Sequence, residues 1–557
     1  MTRRAAWWPA AALALTYALM AVVLRPAYNW PVIDSWAFGY TVQQWLATGR
    51  FVFVDWGAMS LFAHAAWGAL FCLPAGFSFA ALNLSTFVLS LAAALATYLA
   101  LRELAGWAKA DPAWAGWALL GALLLVVNPA FVLLSYSYMT DVPFLAWYSL
   151  AAWCDLRGLR LGRQRWLWLG AACAAVATLI RQNGVVLPAA LAAYLLWGWL
   201  RRQRPFPARE LLAALFLPAA TLAALTALSR LGVIPSRTDA LSWVNLGLAP
   251  AALAANLFRI LLYLGLFALP LSAALLDLRR VRQAAGLAGL AALIGAGAVL
   301  QYFRPFKLPY LGVWRMMPYF PTVWTVFGTG GQEEWLAGAR PMLFSYRFWV
   351  IITAVSCIGA ALLLWPALRA LTRRDFRSDG TGWPAGFLVL MGLVYLAPIL
   401  LFRGEIYERY LIGLLLPIAG LLLRAAQKAG RRPLWPAFAA LAAVFLAFSL
   451  ALTAEFVAWN GAAWRAAGRL AAQGVPAEQI DGGFAWNGWQ FAGQIGKSKA
   501  LLPAGAPVYM ELTPQITRQY VVSFSPLAGY TTIGREPYWS AFHWGERELL
   551  VLQRTGG

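Results

Sequence analysis

The sequence is poor in charged residues, histidine and cysteine. Only 12% of its 557 residues are charged, and it has two histidines and four cysteines. A soluble globular protein carries about twice this charged fraction. The two histidines, His64 and His543, are far apart in sequence, which argues against a histidine-based metal cage or a Ser-His-Asp triad. Carboxylates and arginines must therefore carry any chemistry.

The cysteines also give little indication of chemistry. All four lie in apolar runs, with no CxxC spacing and no pattern that suggests pairing. We expect them to be small packing residues: Cys72, Cys154, Cys173 and Cys357.

Apolar residues, in contrast, are abundant. They make up 62% of the chain, and runs of about 20 apolar residues recur along its length, as bilayer spanning requires. Lysine and arginine total 44 against 22 acidic residues, but most of this excess forms short clusters between the apolar runs. Such clusters are typical of cytoplasmic loops rather than of a nucleic-acid surface. The composition predicts an all-α polytopic membrane protein that does not bind nucleic acid.

About 13 apolar runs are predicted to be transmembrane helices. The first follows Arg3-Arg4 and has no clear small-residue cleavage site after it, so we interpret it as a retained helix rather than a signal peptide. The predicted spans lie near residues 5–24, 79–101, 113–135, 142–155, 166–180, 185–200, 210–229, 253–276, 284–302, 348–368, 383–402, 409–423 and 433–453.

The links between these runs alternate in basicity, and this alternation predicts their orientation. The strongly basic links are expected on the cytoplasmic side; they are residues 157–165, 201–209, 277–282, 369–377 and 424–432. The N-terminus is then cytoplasmic and the C-terminus extracytoplasmic, in a bacterial-type plasma (inner) membrane. The apolar run 58–73 is too short for a comfortable span. We therefore expect residues 25–78 to form one outer loop with helices along the membrane interface.

The composition changes near residue 455. We expect residues 1–454 to be the transmembrane domain and 455–557 a small extracytoplasmic α/β domain, with short strands at 506–512, 518–524 and 547–554. Residues 480–491, IDGGFAWNGWQF, suit either a tight turn packed at the membrane face, which we favour, or carbohydrate contact.

Two acidic residues fall at the predicted outer membrane boundary although they are far apart in sequence. Asp34 follows the first helix, in PVIDSWAFGY, and Asp141 lies in YSYMTDVPF. An acid at this boundary is costly unless it is solvated, paired or functional. The alternative for Asp34 is a helix cap or a loop carboxylate, and for Asp141 it is an N-cap, which Pro143 in the first turn of a helix favours.

Cations are also numerous in the predicted outer links. At the membrane edge they are suited to pair with a lipid-linked phosphate, although interfacial anchoring is the alternative for each one. They are Arg50, Arg181, Arg304, Lys307, Arg315, Arg340, Arg403 and Arg409. We expect most tryptophans and tyrosines of the same links, Tyr40 and Trp56 among them, to lie in an interfacial belt, although some are suited to stack on a sugar ring.

These segments together resemble a known superfamily. An early Asp and Tyr followed by TGRF (Asp34, Tyr40 and residues 48–51), and then MTDVPFLAWYSLA (139–151), resemble the acidic motifs of GT-C glycosyltransferases. RQNGVVLPAAL (181–191) and ERYLIGLLLPIAGLL (408–422) resemble their later basic helix starts. The group most similar in pattern is that of protein O-mannosyltransferases and lipid A aminoarabinose transferases. The resemblance covers about residues 1–423.

The resemblance implies a GT-C fold and a glycosyltransferase that uses a polyprenyl-phosphate-sugar donor, among membrane lipids. The acceptor would be a lipid, glycan or protein hydroxyl on the outer face. Asp34 would then be the general base, in a transfer that inverts the sugar, and Asp141 would orient acceptor or donor. The expected substrate-binding residues are Tyr40, Arg50, Arg181, Arg304, Lys307, Arg409 and Tyr410. No cofactor is specified, no metal-binding residue is assigned, and a divalent metal requirement stays open.

Two other functions remain open at this point. A transporter or flippase of a polyprenyl-linked glycan or other anionic lipid predicts polar or broken helices at the bilayer midplane. A non-catalytic envelope-assembly protein would depend mainly on its C-terminal domain. The outer link 303–346 is either a lid over the site or a structured connector.

Overall fold

The fold is taken from a computed structural model, which describes residues 7–57, 59–105, 107, 114–235, 247–276, 281–302, 327–329, 335–372, 384–401, 406–495, 510 and 512–555. Helices dominate these residues, and a small sheet lies near the C-terminus. The α-helices are α1 (Trp8–Val23), α2 (Ser35–Thr48), α3 (Phe62–Cys72), α4 (Phe79–Ala105), α5 (Trp114–Val126), α6 (Pro129–Ser135), α7 (Asp141–Leu161), α8 (Gln164–Ile180), α9 (Val186–Leu200), α10 (Ala208–Arg230), α11 (Pro250–Ala274), α12 (Val281–Tyr302), α13 (Tyr346–Thr372), α14 (Ala385–Leu400), α15 (Leu415–Lys428), α16 (Trp435–Ala472) and α17 (Phe484–Gln490).

Many of these helices are long and apolar, which confirms a multi-pass membrane protein. Seven are long and apolar enough to cross a bilayer, and α5 and α6 together would form an eighth span. Five further apolar helices have 10 to 17 residues. The predicted count of 13 spans remains a prediction. The four cysteines are free and buried.

The run predicted as a span at 113–135 consists of two helices, α5 and α6, rather than one. The chain bends by 70° between α5 and α6. Asn128 supplies the local cause: its side-chain oxygen accepts hydrogen bonds from the backbone N–H groups of Ala130 and Phe131 and so caps α6. Pro129 then occupies the first helical position, where its missing N–H costs nothing. The bend redirects the chain toward Asp141.

The predicted first outer loop contains two short helices, α2 and α3. The 11 residues of α3 extend for about 16 Å, roughly half the hydrocarbon thickness, so α3 alone is too short to span. The start of α3 is tied to the end of α8. The Ser60 hydroxyl donates to the Thr178 carbonyl at 2.7 Å, and the Leu61 N–H donates to the Ile180 carbonyl at 3.4 Å. This loop is therefore fixed to the helical bundle.

The C-terminal region combines one long helix with a four-stranded sheet. Helix α16 has 38 residues and continues through the predicted domain boundary at 454/455. The strands are β1 (Ile480–Asp481), β2 (Tyr520–Ser523), β3 (Tyr530–Ser540) and β4 (Gly545–Arg554), in the order β1-β2-β4-β3. Strands β1 and β2 are parallel, and the other neighbouring pairs are antiparallel.

Two of the three strands predicted for this region overlap observed strands, and the third is described only in part. Residues 518–524 and 547–554 do contain β2 and much of β4. In the predicted strand 506–512 only Met510 and Leu512 are described, and both have helical backbone. Strand β3 was not predicted.

Candidate active site

Asp141 and Arg181 meet because α7 and α8 form an antiparallel pair. Asp141 is the first residue of α7, and Arg181 directly follows α8, so both lie at the same end of the pair. We call this end the Asp141 end. The Arg181 Nη1 donates to the Asp141 Oδ1, and both side chains are more than nine-tenths buried. The other carboxylate oxygen of Asp141, Oδ2, has no hydrogen-bond partner among the described residues.

A second buried arginine lies near this pair. Arg409 belongs to a 3₁₀ segment, Glu408–Leu414, that precedes α15. The guanidinium carbons of Arg181 and Arg409 lie 5.5 and 5.6 Å from the centre of the Tyr410 ring. Arg409 is 7% exposed, and no described carboxylate lies within 4 Å of its nitrogens. The site thus contains two arginines for one directly paired acid.

A small cavity unites these residues. Its volume is about 20 Å³. Four of the predicted site residues line it, together with other side chains from α7, the segment after α8, α14 and the 3₁₀ segment before α15: Asp141, Phe144, Arg181, Asn183, Tyr395, Ile399, Arg409, Tyr410 and Ile412. A cavity of this volume holds about one water molecule, so these side chains lie close together around it.

Asp34 belongs to the same electrostatic cluster without lining this cavity. It stands at the N-cap position of α2, but its carboxylate makes no capping hydrogen bond and instead accepts one from the Trp56 indole N–H at 2.8 Å. Burial raises the pKa of Asp34, and the negative charge of Asp141 acts in the same direction. The positive charges of Arg409 and Arg181 and the Trp56 hydrogen bond oppose this rise. Asp34 thus occupies the N-cap position without a capping hydrogen bond, and Asp141 is the first residue of α7 rather than its N-cap.

The remaining predicted site residues lie elsewhere or are not described. The Tyr40 ring packs edge-on against Trp489, 6.4 Å away between centroids, and does not line the cavity. Arg50 is exposed at the far end of α2, about 20 Å along the helix from Asp34. Arg304 and Lys307 lie outside the described residues, as does most of the predicted lid at 303–346.

Sequence reasoning missed three side chains at the site: Trp56, Asn183 and Tyr395. The sequence places Trp56 among the tryptophans expected in the interfacial belt, but in the structure its indole N–H donates a hydrogen bond to Asp34. Asn183 lies two residues after Arg181, in the motif RQNG, and this position makes it a candidate site residue from the sequence alone. Tyr395 gave a weaker signal, as a single tyrosine inside the apolar helix α14.

The opposite end of α7 and α8 has its own charges. Arg160 of α7 hydrogen-bonds Glu103 of α4 at 2.6 Å, and Arg157 lies 3.6 Å from the other oxygen of the same carboxylate. The basic links 157–165 and 201–209 share this end, because α7, α8, α9 and α10 follow one another as consecutive helices. Thus the cluster around Asp141 and these two basic links occupy opposite ends of the helices, and we call the end with the links the basic end.

The described residues contain no group of three or more His, Cys, Asp or Glu side chains placed to hold a metal ion. The charged side chains that the structure brings together at this site are two carboxylates and two guanidinium groups. A buried carboxylate beside hydrogen-bond donors can accept a proton, and the guanidinium groups can neutralise an anion.

Comparisons with known proteins give matches in structure and to a family model, whereas no curated protein matches the chain in sequence. ArnT from Cupriavidus metallidurans bound to undecaprenyl phosphate aligns with 97% of each chain, at 13% identity and a TM-score of 0.41. The apo oligosaccharyltransferase of Archaeoglobus fulgidus aligns over 97% of this chain and 63% of its own, at 14% identity and a TM-score of 0.43.

The oligosaccharyltransferase AglB from the same archaeon, in complex with an inhibitory peptide and a dolichol-phosphate, aligns over 94% of this chain and 62% of its own. The identity is 14% and the TM-score 0.43. This chain therefore spans less than two thirds of the archaeal enzyme. Residues 61–223 match the family model of dolichyl-phosphate-mannose-protein mannosyltransferases, which confirms the predicted resemblance to this group of transferases.

Proposed function

We propose that this protein is an integral-membrane glycosyltransferase that moves a sugar from a polyprenyl-phosphate donor to an acceptor hydroxyl on the outer face of the membrane. One observation carries the proposal: a buried cluster combines one directly paired acid with two arginines and also lies within electrostatic reach of Asp34. The description of the matched family, which names a dolichyl-phosphate-mannose donor, supports this donor class.

The arginines are the phosphate-binding groups in this proposal. Arg181 is paired with Asp141, whereas Arg409 has no described carboxylate within 4 Å and keeps its charge for a ligand. A buried guanidinium binds a phosphate more strongly than an exposed one, because little water competes. It also stabilises the negative charge that grows on the phosphate as the bond to the sugar breaks.

The two carboxylates act on the acceptor side. Asp34 removes the proton from the acceptor hydroxyl, whose oxygen attacks the anomeric carbon while the polyprenyl phosphate leaves. A single base and a direct attack give inversion at that carbon. Burial raises the pKa of Asp34 and makes its ionised form a stronger base. Asp141, held by Arg181, orients acceptor or donor through its second oxygen.

Orientation and domain division are part of the same proposal. The basic links 157–165 and 201–209 lie at the end opposite the cluster, which supports a cytoplasmic position for them and an outer position for Asp34 and Asp141. The N-terminus is then cytoplasmic, in a bacterial-type plasma membrane. Residues 1–454 form the membrane domain, and 455–557 form an extracytoplasmic one.

The bent pair α5–α6 is the observation that favours a transporter, because transporters build midplane sites from broken helices. Here, however, the bend is filled by protein. The Asn128 side chain caps α6, and the Ser449 hydroxyl donates to the Val127 carbonyl at 3.0 Å. Residues 127–135 are all buried, and none of them lines the cavity at Asp141. This geometry supports transfer over transport.

Replacing Asp34 by Asn in proteoliposomes tests the proposal. With a radiolabelled polyprenyl-phosphate sugar as donor, we expect transfer to fall by about 10²- to 10⁴-fold, because the general base is lost. Asp55→Asn is the matched control, since Asp55 is an exposed acid in the same loop. Full transfer by Asp34→Asn would exclude the base. Movement of intact donor across the bilayer, without transfer, would establish the transporter instead.

A further inference from the structure

The hairpin of β3 and β4 runs alongside α16 toward the membrane. Past the middle of β3, the Glu536 carboxylate accepts a hydrogen bond from Arg465 at 2.8 Å and one from Arg469. At the end of β3, the Ser540 hydroxyl and the Ala541 N–H donate to Glu455 at 2.8 and 2.7 Å. The partner residues on α16 thus move toward its N-terminus as β3 advances.

The turn of the hairpin reaches the level of the spanning helices. Its Phe542 ring lies 6.1 Å from Phe448 of α16 and 5.0 Å from Phe344, two residues before α13, between centroids. Phe448 is inside the predicted span 433–453, about 8 Å from its end. Arg347–Leu368 of α13 is also a candidate span. The turn therefore lies at the boundary where both helices enter the hydrocarbon.

Two tryptophans project from this turn. Trp539 is 57% exposed and Trp544 is 83% exposed, an unusual state for such large apolar side chains. The turn after β3, residues 541–544, ends in the second of them and carries no acid, lysine or arginine. Tryptophan concentrates at membrane interfaces because the ring is apolar and its N–H can still bond water or headgroups.

We infer that the tip of this hairpin, residues 539–544, inserts into the lipid headgroup region beside α13 and α16 and anchors the C-terminal domain to the bilayer. The lipid is the favoured partner because the tip is continuous with helices that themselves enter the membrane. The inference does not depend on the proposed activity.

Labelling in nanodiscs tests the anchor. The four native cysteines are buried, so a thiol-reactive nitrobenzoxadiazole dye selects an introduced one. We compare Trp544→Cys in the turn with Arg535→Cys, an exposed residue of strand β3 in the same hairpin. In phosphatidylethanolamine–phosphatidylglycerol discs that contain shallow doxyl lipids, we expect quenching at 544 to be several-fold stronger than at 535.

Trp539→Cys provides a second labelled position and should also be quenched more strongly than 535. Equal quenching at 544 and 535, with equal access to aqueous iodide, would overturn the anchor. Protection at 544 that requires high protein concentration and is insensitive to doxyl lipids would indicate a protein partner and would also overturn it.

A separate set of contacts joins the C-terminal domain to Asp34. The ring of Phe484, the first residue of α17, lies 5.7 Å from Trp36 of α2 and 5.9 Å from Trp56. Trp56 in turn donates its indole N–H to Asp34 at 2.8 Å. The backbone of Phe484 is itself fixed, because its N–H donates to the Trp335 carbonyl at 2.8 Å.

We propose that Phe484 is a positioning residue of the transfer reaction, which holds Trp56 against Asp34 from the C-terminal domain. This proposal rests on the proposed role of Asp34 as base. The close approach of α17 and α2 supports it, since a Cβ on Gly488 would lie only 2.4 Å from the Trp36 ring.

The pH profile distinguishes positioning from general packing. The Trp56 hydrogen bond lowers the pKa of Asp34, so weakening it raises that pKa further. We expect Phe484→Leu to move the acid limb of kcat/KM to higher pH by up to about one unit, and Trp56→Phe to do the same. The affinity for polyprenyl phosphate should change less than twofold.

Trp486→Leu is the matched control, because Trp486 packs on Trp464 from the same helix and has no ring contact with Trp56 among the described residues. An unmoved acid limb in both Phe484→Leu and Trp56→Phe, alongside an inactive Asp34→Asn, would reject the positioning role alone. Full activity of Asp34→Asn would reject the proposed base, and the positioning role with it.

Discussion

The two ends of the α7–α8 pair both combine buried carboxylates with arginines, but they pair these charges differently. At the basic end, both oxygens of Glu103 have arginine partners, Arg157 and Arg160. At the Asp141 end, the Asp141 Oδ2 has no hydrogen-bond partner among the described residues, whereas a buried arginine Nε without one occurs at both ends, in Arg409 and Arg157.

This difference separates a structural ion pair from a binding site. A buried polar group without a hydrogen bond lowers the stability of the folded protein. A ligand that supplies the missing hydrogen bond therefore binds more tightly. The arginines at the basic end are about one-third exposed and gain little from any additional ligand. The comparison predicts that substitutions at the two ends have different consequences.

The largest difference is expected between Asp141→Asn and Glu103→Gln. Loss of the Asp141 charge leaves Arg181 buried without its partner and removes the oxygen that faces substrate, so kcat/KM for transfer should fall by about 10²-fold or more. Glu103→Gln should lower thermal stability and change kcat/KM less than about threefold. Similar losses of transfer in both variants would remove the distinction between the two ends.

A smaller difference is expected for the cations. Arg409→Leu should raise the KM for the polyprenyl-phosphate sugar by about 10- to 100-fold, because a buried charge contact to phosphate is lost. Arg160→Leu is the counterpart at the basic end, where we expect no change in this KM. Initial rates over a range of donor concentrations measure both values, and an unchanged KM in Arg409→Leu would place the phosphate elsewhere.

The pH dependence of the native enzyme gives a further test. Burial raises the pKa of Asp34 above its usual range, and the base must be ionised to act. Therefore kcat/KM should decline as the pH falls through this raised pKa, at a higher pH than an ordinary aspartate would give. Rates between pH 4 and 8 show the limb; polyprenyl phosphate binding at each pH serves as the control. A flat profile over that range contradicts a buried carboxylate base.

The smallest effect is expected from Arg50→Ala. Arg50 is exposed and about 20 Å along α2 from Asp34, so its loss should change donor KM by less than about twofold. An increase in donor KM as large as that expected for Arg409→Leu would show that the donor extends over α2. It would also support the substrate-binding role that the sequence predicts for Arg50.

The ends of apolar runs made the core of the site predictable. Asp141 starts one helix, Arg181 follows the next, and Arg409 precedes a third, so a correct order of helices places all of them at one end. Asp34 could be added because it follows the first span. No such rule identifies Trp56, whose hydrogen bond to Asp34 depends on how the chain returns after α2.

Two details of the fold differ from the prediction for physical reasons. The Asn128-Pro129 pair inside an apolar run is a turn signal, whereas the prediction of one continuous helix used only the length of the run. Strand β3 contains Gly534, Arg535 and Pro537 and has a largely exposed face, so its sequence resembles a loop. Its place at the edge of the sheet tolerates that proline, because an edge strand can spare an N–H.

Helix α16 has a mechanical consequence. It runs without a break for 38 residues, about 57 Å, while the hydrocarbon core is about 30 Å thick. Because α16 continues from its apolar first half into the C-terminal domain, a change in its tilt also moves that domain. A change in tilt of about 10° sweeps the far end of such a helix by about 10 Å. Because tilt responds to bilayer thickness, a thinner or thicker membrane would displace the sheet that Arg465 and Arg469 hold against this helix.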